Sequence, residues 1–245
     1  MHKLKLIAKD IFFPGLDLHN RCRVRVLRDY IRGGNIDTLD AGSGNGSLSY
    51  VAYHKGNRVL GVSFKLNEVT GTTALFRYRG VPGDRAEFRH LNIYDLRQLG
   101  RCFDQIICSE TLEHIARDRE VIETFAEMLN PGGHLLLCCP YALHPENNLG
   151  RTNEPENGYH VRDGYTYDSY RELLEPAGFR ITRQVGVGSP LLCKLDYVLR
   201  ETRHKVGDLG AFPLFLLMLP LTWLDYPNPR VPFSIAVVAE KTREA

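Results

Sequence analysis

The stretch that most constrains the fold is Thr38–Lys65, which reads TLDAGSGNGSLSYVAYHKGNRVLGVSFK. An apolar strand runs into a turn with three glycines, a helix-like stretch follows, and a second apolar strand ends near Ser63. A helical crossover of this kind joins parallel strands, whereas antiparallel neighbours need only a short turn. The stretch therefore predicts a βαβ unit, with its glycine turn at the edge of the sheet where ligands bind.

Similar apolar segments recur along the chain and alternate with helix-like stretches. The strand-like segments are IDTLDA, RVLGVSF, FRHLNI, FDQIICS, HLLLCCP, FRITRQVG and PFSIAVVAEK. Between them lie stretches such as RDREVIETFAEMLN, which the helix-stopping residues NPGG follow closely. Strands that alternate with helices favour an α/β fold with a largely parallel sheet covered on both faces.

Composition narrows the class of protein. The 245 residues are enough for one large domain, and the net charge of +2 gives no support to a nucleic-acid partner. The six cysteines lack repeated CxxC spacing, so we expect no metal site and a reducing, cytoplasmic location. The N-terminus shows no signal-peptide core, because Lys9 and Asp10 interrupt its apolar run.

The chain is expected to form a single domain over residues 1–245. Its parts are a helical N-terminal segment at 1–35, a cofactor-binding half at 36–140 and a substrate-side half at 141–245. A polar loop at 141–166 and an apolar insert at about 190–228 interrupt the alternation of strands and helices. Long irregular segments in a compact domain are usually functional loops or lids, so both are expected over the ligand edge of the sheet.

The apolar insert contains a long hydrophobic run, Leu209–Leu224. This run is shorter than the ~18 to 20 residues that cross a bilayer, and Pro213 and Pro220 break it. It is therefore not expected to span a membrane. It could form an apolar lid over an acceptor, the seam of a homodimer, or a peripheral contact with a membrane surface.

The glycine turn has the pattern D-x-G-x-G-x-G, from Asp40 through Gly42 and Gly44 to Gly46. Glycine permits the unusual dihedral angles of a tight turn and lets backbone N–H groups approach a ligand closely. A dinucleotide fingerprint would have Gly or Ala three places after Gly44, where this chain has Ser47. The spacing therefore favours a cofactor other than NAD.

Two further motifs follow the turn in order, FDQIICSETLEHI at 103–115 and LNPGGHLLLCCP at 129–140. Together with LDAGSGNG they resemble the class I S-adenosylmethionine-dependent methyltransferases, in particular the small-molecule branch similar to methyltransferase type 11. The resemblance covers about residues 37–140 and continues into the last strands. It implies a Rossmann-like doubly wound sheet of seven strands, mostly parallel with an antiparallel last strand, and methyl transfer to oxygen or nitrogen of a small or medium organic acceptor.

The resemblance also implies which residues bind S-adenosylmethionine. They are Asp40, Gly42, Ser43, Gly44, Gly46, Ser63, Phe64, Asn92, Ile93, Cys108 and Ser109. Ser63 and Asn92 stand where the family usually has acids, at the ribose and at the adenine. Glu68, one helical turn further on, could reach the ribose instead, and either Arg21 or Arg23 could neutralise the cofactor carboxylate. With Ser63 alone at the ribose, Ser63→Asp is expected to tighten binding.

Residues for the acceptor are expected near the fourth strand and on the polar loop. A hydroxyl acceptor needs a base, for which we predict His114 and His160. The residue types suited to orienting a polar acceptor are Glu110, Tyr141, Arg162 and Tyr165. Thr166 with Asp168 predicts the start of the next helix.

Two alternatives to a methyltransferase remain open. Ser63 with Lys65 would also suit a 2′-phosphate, which an NADP-dependent oxidoreductase binds. The missing acid would equally suit a non-catalytic, methyltransferase-like partner protein. In all cases no nucleic acid is expected, and the partner of an active enzyme is a small-molecule acceptor.

Overall fold

The computed structural model describes residues 2–151 and 155–242. These residues fold around one sheet of seven strands. The strands are β1 Asp37–Ala41, β2 Arg58–Ser63, β3 Ala86–His90, β4 Phe103–Ser109, β5 Leu129–Pro140, β6 Phe179–Val187 and β7 Ser234–Lys241. Their order across the sheet is β3-β2-β1-β4-β5-β7-β6. The pairs among β1 to β5 are parallel, and β7 runs antiparallel to both of its neighbours. The predicted fold class is confirmed.

Helices cover both faces of this sheet. They are α1 His2–Ile11, α2 Leu18–Leu27, α3 Ser47–His54, α4 Leu66–Tyr78, α5 Asp118–Met128, α6 Tyr167–Leu174 and α7 Pro190–Met218. One buried cluster joins a face of the sheet to α5 and α6, with Phe125 and Tyr170 at its centre. The other joins the opposite face to α3 and α4, through Leu48 and Phe76. The near-continuous apolar strands are the consequence of burial on both sides.

The strand register brings the loops of the ligand edge together. In β1, Asp40 pairs with Gly61 of β2 and with Ile107 of β4, so the three strands end at similar heights. The residues that follow them, from Gly42, Phe64 and Glu110 onwards, therefore meet at one edge. This edge holds the site, as expected for an open α/β sheet.

The start of α6 confirms the predicted helix boundary, with Asp168 in the first turn. Thr166 is the N-cap and its side chain accepts from the backbone N–H of Ser169. The Ser169 hydroxyl completes a capping box by accepting from the Thr166 N–H at 2.8 Å. Asp168 instead pairs with Arg171 on the surface. The capping box therefore consists of two hydroxyl side chains, those of Thr166 and Ser169.

The insert at 190–228 is mostly helical, so its prediction as an irregular segment is wrong. The helix α7 runs from Pro190 to Met218 with a kink at Gly207, and a short 3₁₀ helix covers Pro220–Leu224. Glycine and proline obscure the helical periodicity in the sequence, but packing against α2 stabilises the segment. Among the helices of the described residues, none is both long and apolar enough to cross a membrane.

The polar loop at 141–166 is irregular, as predicted, although residues 152–154 lie outside the described part of the chain. It is tied to the sheet through an isolated bridge between Tyr141 and Tyr165. Two hydrogen bonds stabilise the middle of the loop, in which the backbone N–H groups of Leu149 and Gly150 donate to the Asp163 carboxylate.

All six cysteines of the chain are free thiols.

Candidate functional site

The glycine turn between β1 and α3 is held by backbone hydrogen bonds. The N–H groups of Gly42 and Ser43 both donate to the Val62 carbonyl, at 3.0 and 2.9 Å. Gly46 donates to the Ser43 carbonyl at 2.8 Å and begins α3. Gly42, Gly44 and Gly46 all have positive φ, at 86, 50 and 76°. An L side chain is disfavoured in this conformation, which explains the choice of glycine.

The three glycines differ in what surrounds them. A Cβ on Gly42 would overlap the Thr111 hydroxyl, and one on Gly46 would lie 2.6 Å from a methyl carbon of Thr72. A Cβ on Gly44 would meet only the Gly42 carbonyl oxygen, at 4.0 Å. Gly44 thus borders open space, and a side chain there would fill the cleft that the turn encloses.

A first cavity of about 310 Å³ opens on one side of the turn. The predicted cofactor residues among its lining are Gly42, Gly44, Ser63, Phe64, Asn92 and Ile93. Asn92 starts the 3₁₀ helix Ile93–Leu99, and its side-chain oxygen accepts from the Tyr94 N–H at 3.1 Å. That oxygen retains a second lone pair, which is free to accept from an exocyclic amino group.

A carboxylate is present in the first cavity even though residue 63 is serine. Glu68 lines the cavity, and the Ser63 hydroxyl donates to its Oε2 at 2.7 Å. The backbone N–H of Lys65 donates to the Ser63 oxygen at 3.1 Å, and the Lys65 ammonium lies 3.5 Å from Glu68 Oε1. The structure thus places the acid in the first turn of α4, as the sequence allowed.

This arrangement reverses one expectation from the sequence. Ser63→Asp was expected to supply a missing charge, but the charge of Glu68 already lies within hydrogen-bond distance of the Ser63 side chain. Two carboxylates in contact repel each other and disfavour their ionised forms. The substitution would therefore add repulsion to the site.

A second cavity of about 480 Å³ lies on the other side of the turn and shares Gly42 and Gly44 with the first. Its lining includes the predicted residues Asp40, Ser43 and Ser109. Asp40 is buried and accepts from the Ser49 hydroxyl. Desolvation by burial raises the pKa of Asp40 to about 6.

The second cavity also distinguishes the two arginines considered for the cofactor carboxylate. Arg23 lines the cavity, with its guanidinium 3.3 Å from Glu110. Arg21 donates to the carbonyls of Gly15 and Phe12, both at 2.7 Å, and stacks over Phe215. Arg21 therefore stabilises the N-terminal segment, while Arg23 lines the second cavity as the ion-pair partner of Glu110.

Two of the predicted cofactor residues line neither cavity. Gly46 is the N-cap of α3, where it allows the turn to enter the helix. Cys108 is fully buried in β4, and desolvation raises the pKa of its thiol well above the usual value. Neither residue is therefore in a position to contact a ligand in the two cavities directly.

Glu110 occupies the junction of the cavities. Glu110 lines the first cavity, the second cavity and a third cavity. Its backbone φ of 51° is unusual for a residue with a side chain. Strained backbone of this kind concentrates at functional sites. Its carboxylate pairs with Arg23 and accepts from the Ser234 hydroxyl at 3.3 Å. The predicted role in acceptor binding is consistent with this position.

The third cavity, of about 380 Å³, holds residues that the sequence did not single out. They include His19, Asp196, Arg200, Arg203 and Phe233. The His19 ring stacks on Phe233 with centroids 3.9 Å apart, and its Nε2 lies 3.9 Å from Asp196, too far for a direct hydrogen bond. Only the folding of α7 against α2 brings them together, so no motif could have indicated them.

Burial favours the neutral forms of both His19 and Asp196. Desolvation lowers the pKa of His19 to about 4 and raises the pKa of Asp196 to about 6. At neutral pH the imidazole of His19 is therefore uncharged and Asp196 is mostly ionised. The contact is an ion beside a neutral ring, and each group can still accept a proton.

The predicted bases His114 and His160 lie together. Their rings are in edge-to-face contact with centroids 4.6 Å apart, and His114 lines the first cavity. Burial, followed by the neighbouring His114, lowers the pKa of His160 to about 4. The base role of both residues stays a prediction.

Glu113 completes a group of possible metal donors. One donor atom from each of Glu113, His114 and His160 lies within 4.8 Å of the other two. Glu113 is buried, its Oε2 has no hydrogen-bond partner, and desolvation raises its pKa to about 8. In the described part of the chain, these three residues form the group whose side chains could coordinate a divalent cation.

The remaining predicted acceptor residues are engaged in the polar loop. Arg162 pairs with Asp118 and donates to the carbonyls of Ile115 and Ala116 at 2.9 and 3.1 Å. Tyr165 is buried and donates to Asp118 at 2.7 Å. Neither Arg162, Tyr165 nor Tyr141 belongs to the lining of the three cavities above. Their contacts tie the loop to the start of α5, and their role in acceptor binding stays a prediction.

The fold is that of class I S-adenosylmethionine-dependent methyltransferases. The methyltransferase domain family matches residues 18–184, and the chain belongs to this family.

A Mycolicibacterium smegmatis protein named "Probable S-adenosylmethionine-dependent methyltransferase" is 28% identical over 151 residues, which are 62% of this chain and 54% of that protein. An O-methyltransferase of Aspergillus sclerotiorum is 28% identical over 176 residues, 70% of this chain and 65% of that one. The chain thus spans about half to two thirds of these relatives.

A solved structure shows the same fold. The geranyl diphosphate C-methyltransferase of Streptomyces coelicolor, in complex with Mg²⁺, geranyl diphosphate and S-adenosyl-L-homocysteine, superposes with a TM-score of 0.61. It is 15% identical and the alignment covers 91% of this chain and 79% of that one.

The residues of this chain fit the family cofactor, S-adenosylmethionine. Gly44 leaves open the space that a side chain would fill, and Glu68 supplies a carboxylate in the first cavity. Arg23 supplies a cation in the second. One cavity is therefore suited to the nucleoside and the other to the amino acid end, with the glycine turn between them.

Proposed function

We propose that the protein transfers a methyl group from S-adenosylmethionine to an oxygen atom of a small or medium organic acceptor. The observation that carries this proposal is the position of Glu110, which lines the third cavity as well as the two cofactor cavities that meet at Gly42 and Gly44. Support for oxygen as the acceptor atom comes from the O-methyltransferase among the relatives.

Bound S-adenosylmethionine would supply an electrophilic methyl group. The task of this chain is then alignment and exclusion of water, because methyl transfer is an in-line displacement. Glu68 would accept from the ribose hydroxyls and the Asn92 amide oxygen from the adenine amino group. Arg23 would neutralise the carboxylate of the cofactor. All three residues line the cavities in question.

The acceptor is proposed to bind in the third cavity, which shares Arg23 and Glu110 with the second. Arg200 and Arg203 line it as well, and Arg203 also reaches the second cavity. An acceptor hydroxyl must lose its proton during transfer. Asp196 and the neutral His19 line this cavity and would accept the proton. His114 would serve if the acceptor approached from the side of the first cavity.

The cofactor is tested first by thermal denaturation. S-adenosylhomocysteine should raise the melting temperature, because a ligand that binds only the native state stabilises it, while NADP should not. A shift with NADP alone would overturn the proposal in favour of an oxidoreductase. Binding of neither compound would support a non-catalytic protein.

The base is tested by turnover with a panel of phenols and other hydroxyl compounds. Asp196→Asn should lower kcat by about 10²- to 10⁴-fold while the affinity for S-adenosylhomocysteine stays unchanged. His114→Asn serves as the matched variant on the other side of the junction. If only His114→Asn lowers kcat, the acceptor site is at the first cavity and the assignment to the third is wrong.

A further inference from the structure

The second half of α7 and the short helix after it present a large exposed apolar surface. The exposed side chains, here called the apolar face, are Leu209, Leu216, Leu217, Leu221, Trp223 and Leu224. Leu209 is 91% exposed, Trp223 77% and Leu217 72%. Single exposed leucines are common on proteins, but a cluster of this size marks an interaction site.

The apolar face is one side of a helix whose other side is buried. Exposed positions recur at 209, 213, 216, 217 and 220, which lie on one side of an α-helix. On the opposite side Ala211, Phe215 and Met218 are buried, in a cluster with Leu18 and Cys22 of α2. The helix is therefore anchored to the protein along one side, and its second apolar side has no partner within the described chain.

Charge is absent from the apolar face and positive around it. No charged residue occurs from Leu209 to Leu224. Of the neighbouring acids, Asp208 pairs with Arg203 at 2.8 Å, and the buried side chain of Asp225 lies 3.7 Å from Arg25. The other exposed charged side chains nearest to the face in the sequence are Lys205 before it and Arg230 after it, both basic, and the acid Glu201 is half-buried.

These features fit a lipid surface with anionic headgroups. An interfacial helix buries leucines in the acyl boundary and keeps basic residues at the level of the headgroups. Trp223 suits the boundary itself, because its ring is apolar and its N–H remains able to donate to a headgroup. Arg25 lies 5.3 Å from the centre of this ring, beneath the face.

A second copy of the chain fits the face less well. Protein interfaces carry about one hydrogen bond per 100 to 200 Å² of contact. From Leu209 to Leu224 the side chains with a polar hydrogen are Thr222 and Trp223, and the Thr222 hydroxyl already donates to the Leu219 carbonyl at 2.7 Å. The face thus offers apolar area with little means of specific pairing.

We propose that the apolar face docks the protein onto the surface of an anionic lipid bilayer, with the second half of α7 lying along that surface. No helix among the described residues is both long and apolar enough to cross the bilayer, so the association is peripheral and reversible. This docking is independent of the methyltransferase activity proposed above.

The experiment uses the intrinsic fluorescence of the protein, since Trp223 is its one tryptophan. On addition of phosphatidylcholine vesicles containing phosphatidylglycerol, the emission should shift to shorter wavelength, and lipids with brominated acyl chains should quench it. The protein should sediment with these vesicles, and added salt should weaken the association by screening the basic residues.

Two variants make the assignment specific. Leu217→Asp with Leu221→Asp should abolish sedimentation, whereas Tyr78→Asp, at an exposed position on α4, should leave it unchanged. An unchanged thermal shift with S-adenosylhomocysteine would show that each variant is folded. The proposal is overturned if vesicles leave the Trp223 emission unchanged. It is also overturned if the emission shifts with protein concentration alone and light scattering shows a dimer.

Discussion

At the scale of single residues, Glu68 supplies the carboxylate of the first cavity, and the residue that ends β2 does not. Ser63 ends β2 at the position where the family resemblance predicts a carboxylate, and Glu68 reaches back from the first turn of α4 to accept its hydrogen bond at 2.7 Å. Helical spacing makes this reach possible, because residues in the first turn of a helix lie near the loop before it. Ser63 therefore orients Glu68, and the carboxylate of Glu68 takes the role predicted for an acid at position 63.

We predict that Glu68→Gln weakens the binding of S-adenosylhomocysteine about threefold to thirtyfold, on the order of 1 to 2 kcal/mol. The amide keeps the shape of the side chain but loses the charge that strengthens its hydrogen bonds. Isothermal titration measures the change. Glu87→Gln is the matched control, because Glu87 is paired with Arg89 on β3, outside the cavity lining. Equal affinity of the Glu68 variant and the parent would remove Glu68 from the ribose site.

At the scale of elements, the turn between β1 and α3 is the part that creates the cleft. Its glycines have different reasons to be glycine. Gly42 and Gly46 are enclosed by Thr111 and Thr72, whereas Gly44 borders the ligand space. Substitution at Gly44 therefore separates ligand binding from folding better than substitution at the other two.

Gly44→Val should abolish the binding of S-adenosylhomocysteine, because the side chain would fill the space between the two cavities. It should also destabilise the protein by about 1 to 2 kcal/mol, since φ is 50° there. Gly80→Val provides the control: its φ is 72° and no atom lies within 4 Å of the added Cβ. Both variants should lose similar stability in urea, and a Gly44 variant that still binds would exclude the turn from the site.

At the scale of the whole molecule, the buried Glu113 links global stability to pH. Burial, followed by the neighbouring Glu110, raises its pKa from the usual 4.5 to about 8. A raised pKa means that the folded state holds the proton where the unfolded state has lost it. The contribution of protonated Glu113 to the free energy of unfolding is therefore complete below about pH 4.5 and is lost as the pH rises through about 8.

Glu113→Gln should remove this dependence, because the amide stays neutral at every pH. Between pH 5 and 8 the free energy of unfolding of the parent should fall relative to the variant, by about 1 kcal/mol per pH unit. Urea denaturation at several pH values measures the difference between the two proteins. Buried groups that both share, such as Asp40 with its pKa of about 6, cancel in this difference. Parallel stability curves would mean that Glu113 is ionised in the folded protein.

Much of the architecture could be read from the sequence. Alternating strands and helices, the glycine turn and the cap at Thr166 are determined by neighbours in the chain, so local patterns predict them. The kinked helix α7 was missed because Gly207, Gly210 and Pro213 interrupt its periodicity. Its stability comes from packing against α2, which no local pattern contains.

The sequence by itself determined the sheet, the cofactor turn and the family, because these depend on short segments with fixed spacing. It also located Glu68 within reach of Ser63. Only the tertiary structure decided which groups line the third cavity, since His19 and Asp196 lie 177 positions apart in the chain and meet through the packing of α2 and α7. It likewise decided that one side of α7 is buried and the other exposed. Burial and long-range contact set the pKa values, the cavities and the free surfaces, and neither is a property of a local stretch of sequence.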